Sequence, residues 1–192
     1  MNVLLTCTGV VALAEMGDKT QLLAFLLAAR FRKPTPIILG ILAATIVNHG
    51  IAGGLGAWIT QLLSPQVLRW VVGLLFLGMA IWTLIPDRIE ESETHTASRL
   101  GVFGATLVTF FLAEMGDKTQ IATFAMAAHY SSTLLVVAGT TLGMLIADVP
   151  AVFLGERLAT RIPLKLVHSI AALIFALLGV ATLLGLGQSL GL

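Results

Sequence analysis

Six runs of mainly apolar residues divide the chain, and each is long enough to cross a lipid bilayer, which takes about 20 residues of helix. The runs cover residues 3–29, 36–60, 67–85, 100–128, 133–155 and 165–187. Only 11% of the 192 residues are charged, whereas a soluble domain carries about 25%. The sequence therefore predicts an all-α integral membrane protein with six transmembrane helices. Its net charge of +1 provides no basic surface for nucleic acid.

The positive charges between the runs predict how the chain is oriented in the bilayer. Eight basic residues lie at or near the first, third and fifth breaks, namely Arg30, Arg32, Lys33, Arg88, Arg99, Arg157, Arg161 and Lys165, and only Arg69 lies at the second. Because Lys and Arg concentrate in cytoplasmic loops, we expect these three breaks in the cytoplasm and both termini in the periplasm. No basic region precedes the first run, so a cleaved signal peptide is not expected.

The chain is an internal repeat with an offset of 99 residues. The nine letters LAEMGDKTQ occupy residues 13–21 and return at residues 112–120. Residues 1–86 and 100–192 each contain three apolar runs, and the acidic stretch 87–99 separates them as a cytoplasmic loop. Because three is an odd number, the halves must cross the bilayer in opposite senses. This predicts two inverted three-helix repeats, a layout in which secondary transporters place the substrate at the midplane.

The repeated motif places four acids near the middle of apolar runs: Glu15 and Asp18 in the first half, Glu114 and Asp117 in the second. Acids three residues apart share one face of a continuous helix. A lone carboxylate at the bilayer centre costs about 2.5 kcal/mol or more. A cluster of four therefore needs protons, lysines or a metal ion to neutralise it.

The chemistry of the candidate ligands limits which metal ions can bind. Neutral oxygen donors accompany the acids, and the candidates are Thr20, Gln21, Thr119, Gln120 and Asn48. Carboxylate, amide and hydroxyl oxygens suit hard cations such as Mn²⁺, Ca²⁺ or Mg²⁺. Gly17 and Gly116 lie between the acids. Each permits either the close approach of another helix or the local unwinding of the helix that contains it.

Two lysines follow the acids directly. Lys19 and Lys118 supply two positive charges, so four carboxylates and two ammonium groups leave a charge of −2, which one divalent cation cancels. The alternative interpretation is a salt bridge within each motif that only holds helices together. Snorkelling of the lysines to an interface is a third interpretation.

A second pair of polar positions lies in the second and fifth runs. His49 and Asp148 are separated by the repeat offset of 99 residues. Histidine titrates near neutral pH, and both residues are candidates for proton coupling; the alternative is a buried hydrogen-bonded pair. Pro150 is expected to break the helix after Asp148 and to free carbonyl groups.

The doubled E-M-G-D-K-T, residues 15–20 and 114–119, resembles the motif of the family once called uncharacterised protein family 0016. That family includes bacterial manganese exporters and Golgi manganese/calcium–proton antiporters, and the resemblance extends over essentially the whole chain. It implies that Glu15, Asp18, Glu114 and Asp117 bind the cation. The short length resembles the bacterial members, which implies the bacterial inner membrane.

The sequence thus predicts a secondary transporter that exports Mn²⁺, with Ca²⁺ as the other substrate considered, in exchange for protons. No cofactor and no enzymatic activity are expected; the partners are the metal ion, protons and the lipid bilayer. Three alternatives remain open at this stage: a cation channel, a solute exporter and an intramembrane aspartyl protease built on Asp18 and Asp117. Neither copy of the motif decides between Mn²⁺ and Ca²⁺.

Overall fold

The computed structural model describes residues 2–85, 101–154 and 164–185. Within these ranges the chain is helical, without strands. The helices are α1 (Val3–Glu15), α2 (Lys19–Phe31), α3 (Pro34–Leu62), α4 (Pro65–Trp82), α5 (Gly101–Glu114), α6 (Lys118–His129), α7 (Thr133–Leu154) and α8 (Leu164–Leu183). The expected loop 87–99 lies outside the described residues, as do Arg88, Arg99, Arg157 and Arg161.

Three of the described helices are long and apolar enough to cross a membrane: Pro34–Leu62, Pro65–Trp82 and Thr133–Phe153. Three shorter helices, Val3–Glu15, Gly101–Glu114 and His168–Leu183, are also apolar. Large apolar side chains face outwards, with Ile81 68% exposed and Leu134 79% exposed. A surface of this kind suits a lipid surrounding.

The helix boundaries follow local sequence signals, with two departures from expectation. Pro34 and Pro65 occupy the first turns of α3 and α4, where a missing N–H has no helical partner to lose. The single runs expected at 3–29 and 100–128 are each divided into two helices. The break expected at Pro150 is absent, because α7 continues through this residue to Leu154. Proline removes only one N–H donor from the hydrogen bonds of the helix, and packing inside a helix bundle can accommodate that loss.

Close helix crossings bring the two halves of the chain together. α1 packs mainly on α7, and α5 packs on α3. A Cβ at Gly139 would lie 2.8 Å from the carbonyl oxygen of Leu4, and one at Gly40 would lie 2.7 Å from Cβ of Thr106. Only glycine permits these approaches. Since lipid tails are as apolar as leucine, close packing of this kind is what holds membrane helices together.

Two clusters of buried apolar residues form the core of the bundle. One contains Val11, Phe76, Met126 and Phe175, from α1, α4, α6 and α8. The other contains Leu23, Ile41, Phe110 and Ala151, from α2, α3, α5 and α7. The two copies of the repeated motif lie at the junctions α1–α2 and α5–α6, so each cluster is built partly from helices that begin or end at a motif.

Candidate cation-binding site

The repeated motif forms a helix break in both halves of the chain, which corrects the expectation of a continuous helix. α1 ends at Glu15 and α2 begins at Lys19, with Gly17 between them at φ 84°. Gly116 has φ 78° at the equivalent place between α5 and α6. Glycine adopts this left-handed conformation without the penalty that a Cβ imposes. The glutamate and aspartate therefore lie on opposite sides of a turn, rather than on one helix face.

The glutamines of the motif complete the hydrogen bonding of these breaks. The Gly17 N–H donates to Oε1 of Gln21 at 3.0 Å, and the Gly116 N–H donates to Oε1 of Gln120 at 2.7 Å. The amide of Gln21 donates in turn to the carbonyl of Ala147 at 2.9 Å. Each glutamine side chain thus replaces a backbone acceptor that the interrupted helix has lost. This position explains why glutamine follows the glycine by four residues in both copies.

Three of the four motif acids come together. Glu15, Glu114 and Asp117 each offer one oxygen, and these oxygens lie within 4.8 Å of one another. All three residues are buried, at 0%, 0% and 5% exposure. Two oxygens on opposite sides of a hard cation lie about 4–5 Å apart, since each metal–oxygen bond is about 2.0–2.6 Å. The spacing fits a metal ion. Asp18, also buried, lies outside this group.

Threonine hydroxyls orient both glutamates. Thr20 Oγ1 donates to Oε2 of Glu15, and Thr119 Oγ1 donates to Oε2 of Glu114, each at 2.9 Å. The second oxygen, Oε1, of each glutamate is buried and has no hydrogen-bond partner among the described residues. A buried carboxylate oxygen without a partner is costly. The structure therefore leaves these two oxygens available to a cation or a proton.

Two ion pairs join the lysine of each half to the aspartate of the other half. Lys19 Nζ lies 3.3 Å from Oδ1 of Asp117, and Lys118 Nζ lies 3.4 Å from Oδ1 of Asp18. The Lys19 side chain is 19% exposed, whereas that of Lys118 is 1% exposed. The interpretation as a salt bridge inside each motif is therefore wrong for these pairs. Each aspartate is instead neutralised by the lysine of the other half.

The polar residues of α3 and α7 flank the breaks. Asn48 donates to the Phe111 carbonyl at 3.1 Å and accepts from the Gln120 amide at 3.5 Å. His49 and Asp148 are both fully buried, and neither has a side-chain hydrogen-bond partner among the described residues. The hydrogen-bonded pair considered for them is therefore absent from the described part of the structure. Asp148 is close enough to interact electrostatically with Glu15 and Glu114.

One residue at the breaks was missed by the sequence analysis. His168, in the first turns of α8, places Nε2 2.6 Å from the carbonyl oxygen of Met16, the residue that directly follows α1. Its position in the repeat was the available signal, because subtracting 99 from 168 gives Arg69, another basic residue at the start of a helix. The contact itself joins residues 152 positions apart.

Comparison with known proteins identifies the family. The family model described as divalent cation/proton antiporter GDT1 matches residues 3–91 and 102–189. This chain belongs to the GDT1 family. A proposed manganese exporter of Vibrio cholerae is 49% identical over 183 residues, which are 95% of this chain and 90% of that protein. No solved structure matches the chain significantly.

More distant GDT1 relatives occur in plants and cyanobacteria. A GDT1-like protein of Oryza sativa subsp. indica is 30% identical over 190 residues, covering 86% of this chain and 67% of that protein. A GDT1-like protein of Synechocystis is 29% identical over 201 residues, covering 90% of this chain and 92% of that protein. The family is one of divalent cation/proton antiporters, so the chain is a multi-pass membrane transporter and not an enzyme. The protease alternative is thereby excluded.

Proposed function

We propose that this protein exports Mn²⁺ in exchange for protons, with Glu15, Glu114 and Asp117 as the metal ligands and Asp18 as the fourth acid of the site. The observation that carries the proposal is the pair of buried glutamate oxygens without hydrogen-bond partners. They belong to a group of three acids whose ligand atoms lie within 4.8 Å of one another. A metal ion or a proton satisfies these oxygens equally well, so each stabilises the site when the other leaves.

The charge of the site favours a divalent ion. Four carboxylates and the ammonium groups of Lys19 and Lys118 leave a net charge of −2. Two protons or one divalent cation neutralise this charge, which gives a physical basis for exchange. The role of the lysines in this proposal is charge balance. Each pairs with the aspartate of the opposite half, so the charge that remains for the metal to neutralise is that of the two glutamates.

The architecture proposed for transport is six spans arranged as two inverted repeats. In this scheme α1 with α2, and α5 with α6, are broken first spans, and the remaining helices are the other four. The two stretches matched by the family model begin at residues 3 and 102, which are 99 residues apart. The glycine approaches of α7 to α1 and of α3 to α5 also support a repeat. Residues 1–86 and 100–192 are then the two units, joined by a cytoplasmic loop at 87–99.

The helix breaks suit a cation at the centre of the membrane. α1 and α5 both end at a glutamate of the motif, and the C-terminal end of a helix carries partial negative charge. Broken helices of this kind provide the ion sites of secondary transporters, and opposite motions of the repeats then open the site to either side. With the basic loops in the cytoplasm, both termini are periplasmic and the protein lies in the bacterial inner membrane.

The choice of Mn²⁺ over Ca²⁺ rests on the comparison with the Vibrio cholerae protein, because the ligand chemistry does not separate the two ions. All the candidate ligands are oxygens, which suit both ions. The Vibrio cholerae protein, which is 49% identical, is named as a manganese exporter. In the proposed cycle the same carboxylates take up protons after the metal leaves, and His49 and Asp148, buried on the adjacent helices, assist the transfer.

Flux measured in proteoliposomes tests the proposal. The liposomes contain a pH-sensitive dye, and Mn²⁺, Ca²⁺ and Mg²⁺ are offered separately. Mn²⁺ movement coupled to opposite proton movement is expected in the wild type and should be lost in Glu114→Gln. Thr60→Ala is the control, because the Thr60 hydroxyl donates to the Ala57 carbonyl of its own helix. Metal flux without proton movement would indicate a channel. Absence of metal flux would instead favour the alternative function of a solute exporter.

A further inference from the structure

The break in the first motif is held by a histidine from the last described helix. His168 Nε2 lies 2.6 Å from the carbonyl oxygen of Met16. Because a carbonyl oxygen can only accept, Nε2 carries the hydrogen and donates it. His168 is partly buried, so the contact is sheltered from competing solvent. A short hydrogen bond between groups so far apart in sequence fixes the position of one relative to the other.

The Met16 carbonyl is the point at which the chain leaves α1. Met16 has ψ 115°, an extended value, and the turn through Gly17 follows directly. The last carbonyls of a helix have no partner within the helix, so their direction depends on outside donors. Glu15 is the preceding residue, and its carboxylate is one of the three grouped oxygens. A donor that fixes the Met16 carbonyl therefore also restricts the orientation of Glu15.

The second motif differs in the surroundings of the equivalent basic residue. Arg69 on α4 is the repeat equivalent of His168, but it is exposed. Its side chain lies near the C-terminal end of α8, where a Cβ built on Gly185 would lie 3.0 Å from Nη1 of Arg69. Met115, the equivalent of Met16, is 51% exposed. The two breaks are thus alike in sequence, but the equivalent basic residues His168 and Arg69 lie in different surroundings.

We propose that His168 is a positioning residue for the cation site, which holds the α1–α2 break so that Glu15 faces Glu114 and Asp117. The proposal rests on the proposed function, since it assigns a role at the same site. Its physical content is preorganisation: a carboxylate already fixed in place loses less freedom when the metal binds. His168 itself does not touch the metal in this scheme.

The test compares two replacements of similar length. His168→Gln keeps an N–H donor within reach of Met16, whereas His168→Met does not. Initial rates of Mn²⁺ transport in proteoliposomes give the half-saturating concentration and the maximal rate separately. We expect His168→Met to raise the half-saturating concentration about fivefold, the size expected for losing one hydrogen bond, with the maximal rate little changed. His168→Gln should remain close to wild type.

Controls separate this inference from the proposed function and from general damage. Ser169→Ala is the matched control, because Ser169 is exposed and its hydroxyl bonds to Lys165 of the same helix. His168→Asn, whose amide is one bond too short, gives a second test if the methionine variant fails to insert, and it should resemble that variant. Equal half-saturation in Gln and non-donor variants would overturn the positioning role, whereas absence of Mn²⁺ transport in the wild type would overturn the proposed function instead.

Discussion

The ammonium nitrogen of Lys118 lies 3.4 Å from Oδ1 of Asp18, and the two side chains are 1% and 0% exposed. The pair joins the second motif to the first inside the bundle. Burying two charges carries a large desolvation penalty, and only their close pairing offsets it. Removing either partner leaves the charge of the other buried, which is far more costly than keeping the pair.

Neutralising one member of this pair should therefore destabilise the protein. Lys118→Met is expected to lower the free energy of unfolding by about 3–5 kcal/mol, the range found when one partner of a buried pair is removed. The double variant Lys118→Met, Asp18→Asn should recover most of the loss, because it leaves no buried charge without its ion-pair partner. Thermal unfolding of the detergent-solubilised protein measures both. Strictly additive losses in the double variant would contradict direct coupling of the two side chains.

The two lysines should also differ in accessibility. The Lys19 side chain is 19% exposed and that of Lys118 is 1% exposed, although they occupy equivalent places in the repeat. In the metal-free protein we expect a membrane-impermeant thiol reagent to modify Lys19→Cys and to leave Lys118→Cys unmodified. The native Cys7 is fully buried, so the wild type serves as the unreactive control. Equal labelling of both variants would show that the structure does not represent the resting state.

Most of the helices could be predicted from the sequence, because apolar runs and the prolines at positions 34 and 65 mark them directly. The breaks at Gly17 and Gly116 could not be located from periodicity. The flanking residues favour helix on both sides, and the interruption depends on a left-handed glycine whose N–H bonds to a glutamine side chain. Unwinding was one of two roles considered for the glycines, and the structure adopts it.

The identity of the site residues was easier to predict than their pairing. An acid inside an apolar run is costly enough to indicate function on its own, so the motif acids could be chosen without a structure. The pairing of Lys19 with Asp117 depends on how two distant segments of the chain approach each other. The local sequence does not predict that approach. The same holds for His168, whose partner Met16 contributes only a backbone carbonyl that any residue would supply.

The left-handed glycine of the second motif should resist substitution for a purely backbone reason. A Cβ at Gly116 would have no heavy atom within 4 Å, so there is room for a side chain. Its φ of 78° nevertheless costs a residue with a Cβ about 1–2 kcal/mol. Gly116→Val should lower the unfolding temperature clearly, and Gly116→Asn less, because asparagine tolerates this conformation.

A second glycine provides the comparison for that experiment. Gly9 lies within α1, is exposed, and also has no heavy atom near a built Cβ. Gly9→Ala should leave the unfolding temperature unchanged or raise it slightly, since alanine is the better helix former. If Gly116→Val proved as harmless as Gly9→Ala, the turn at Gly116 would not be required by the fold.

Asp148 should affect how transport depends on pH. It is fully buried, both of its oxygens are without a hydrogen-bond partner in the described residues, and it interacts electrostatically with Glu15 and Glu114. Protons compete with the metal for these acids, so Mn²⁺ transport should strengthen as the pH on the metal-loading side rises. Asp148→Asn removes one titrating group and should make this dependence shallower. His49→Asn, at the equivalent place, should shift the same profile. Thr141→Val is the control, because the buried hydroxyl of Thr141 does not titrate. If the pH profiles of the Asp148 and His49 variants also coincided with that of the wild type, these two residues would have a packing role only.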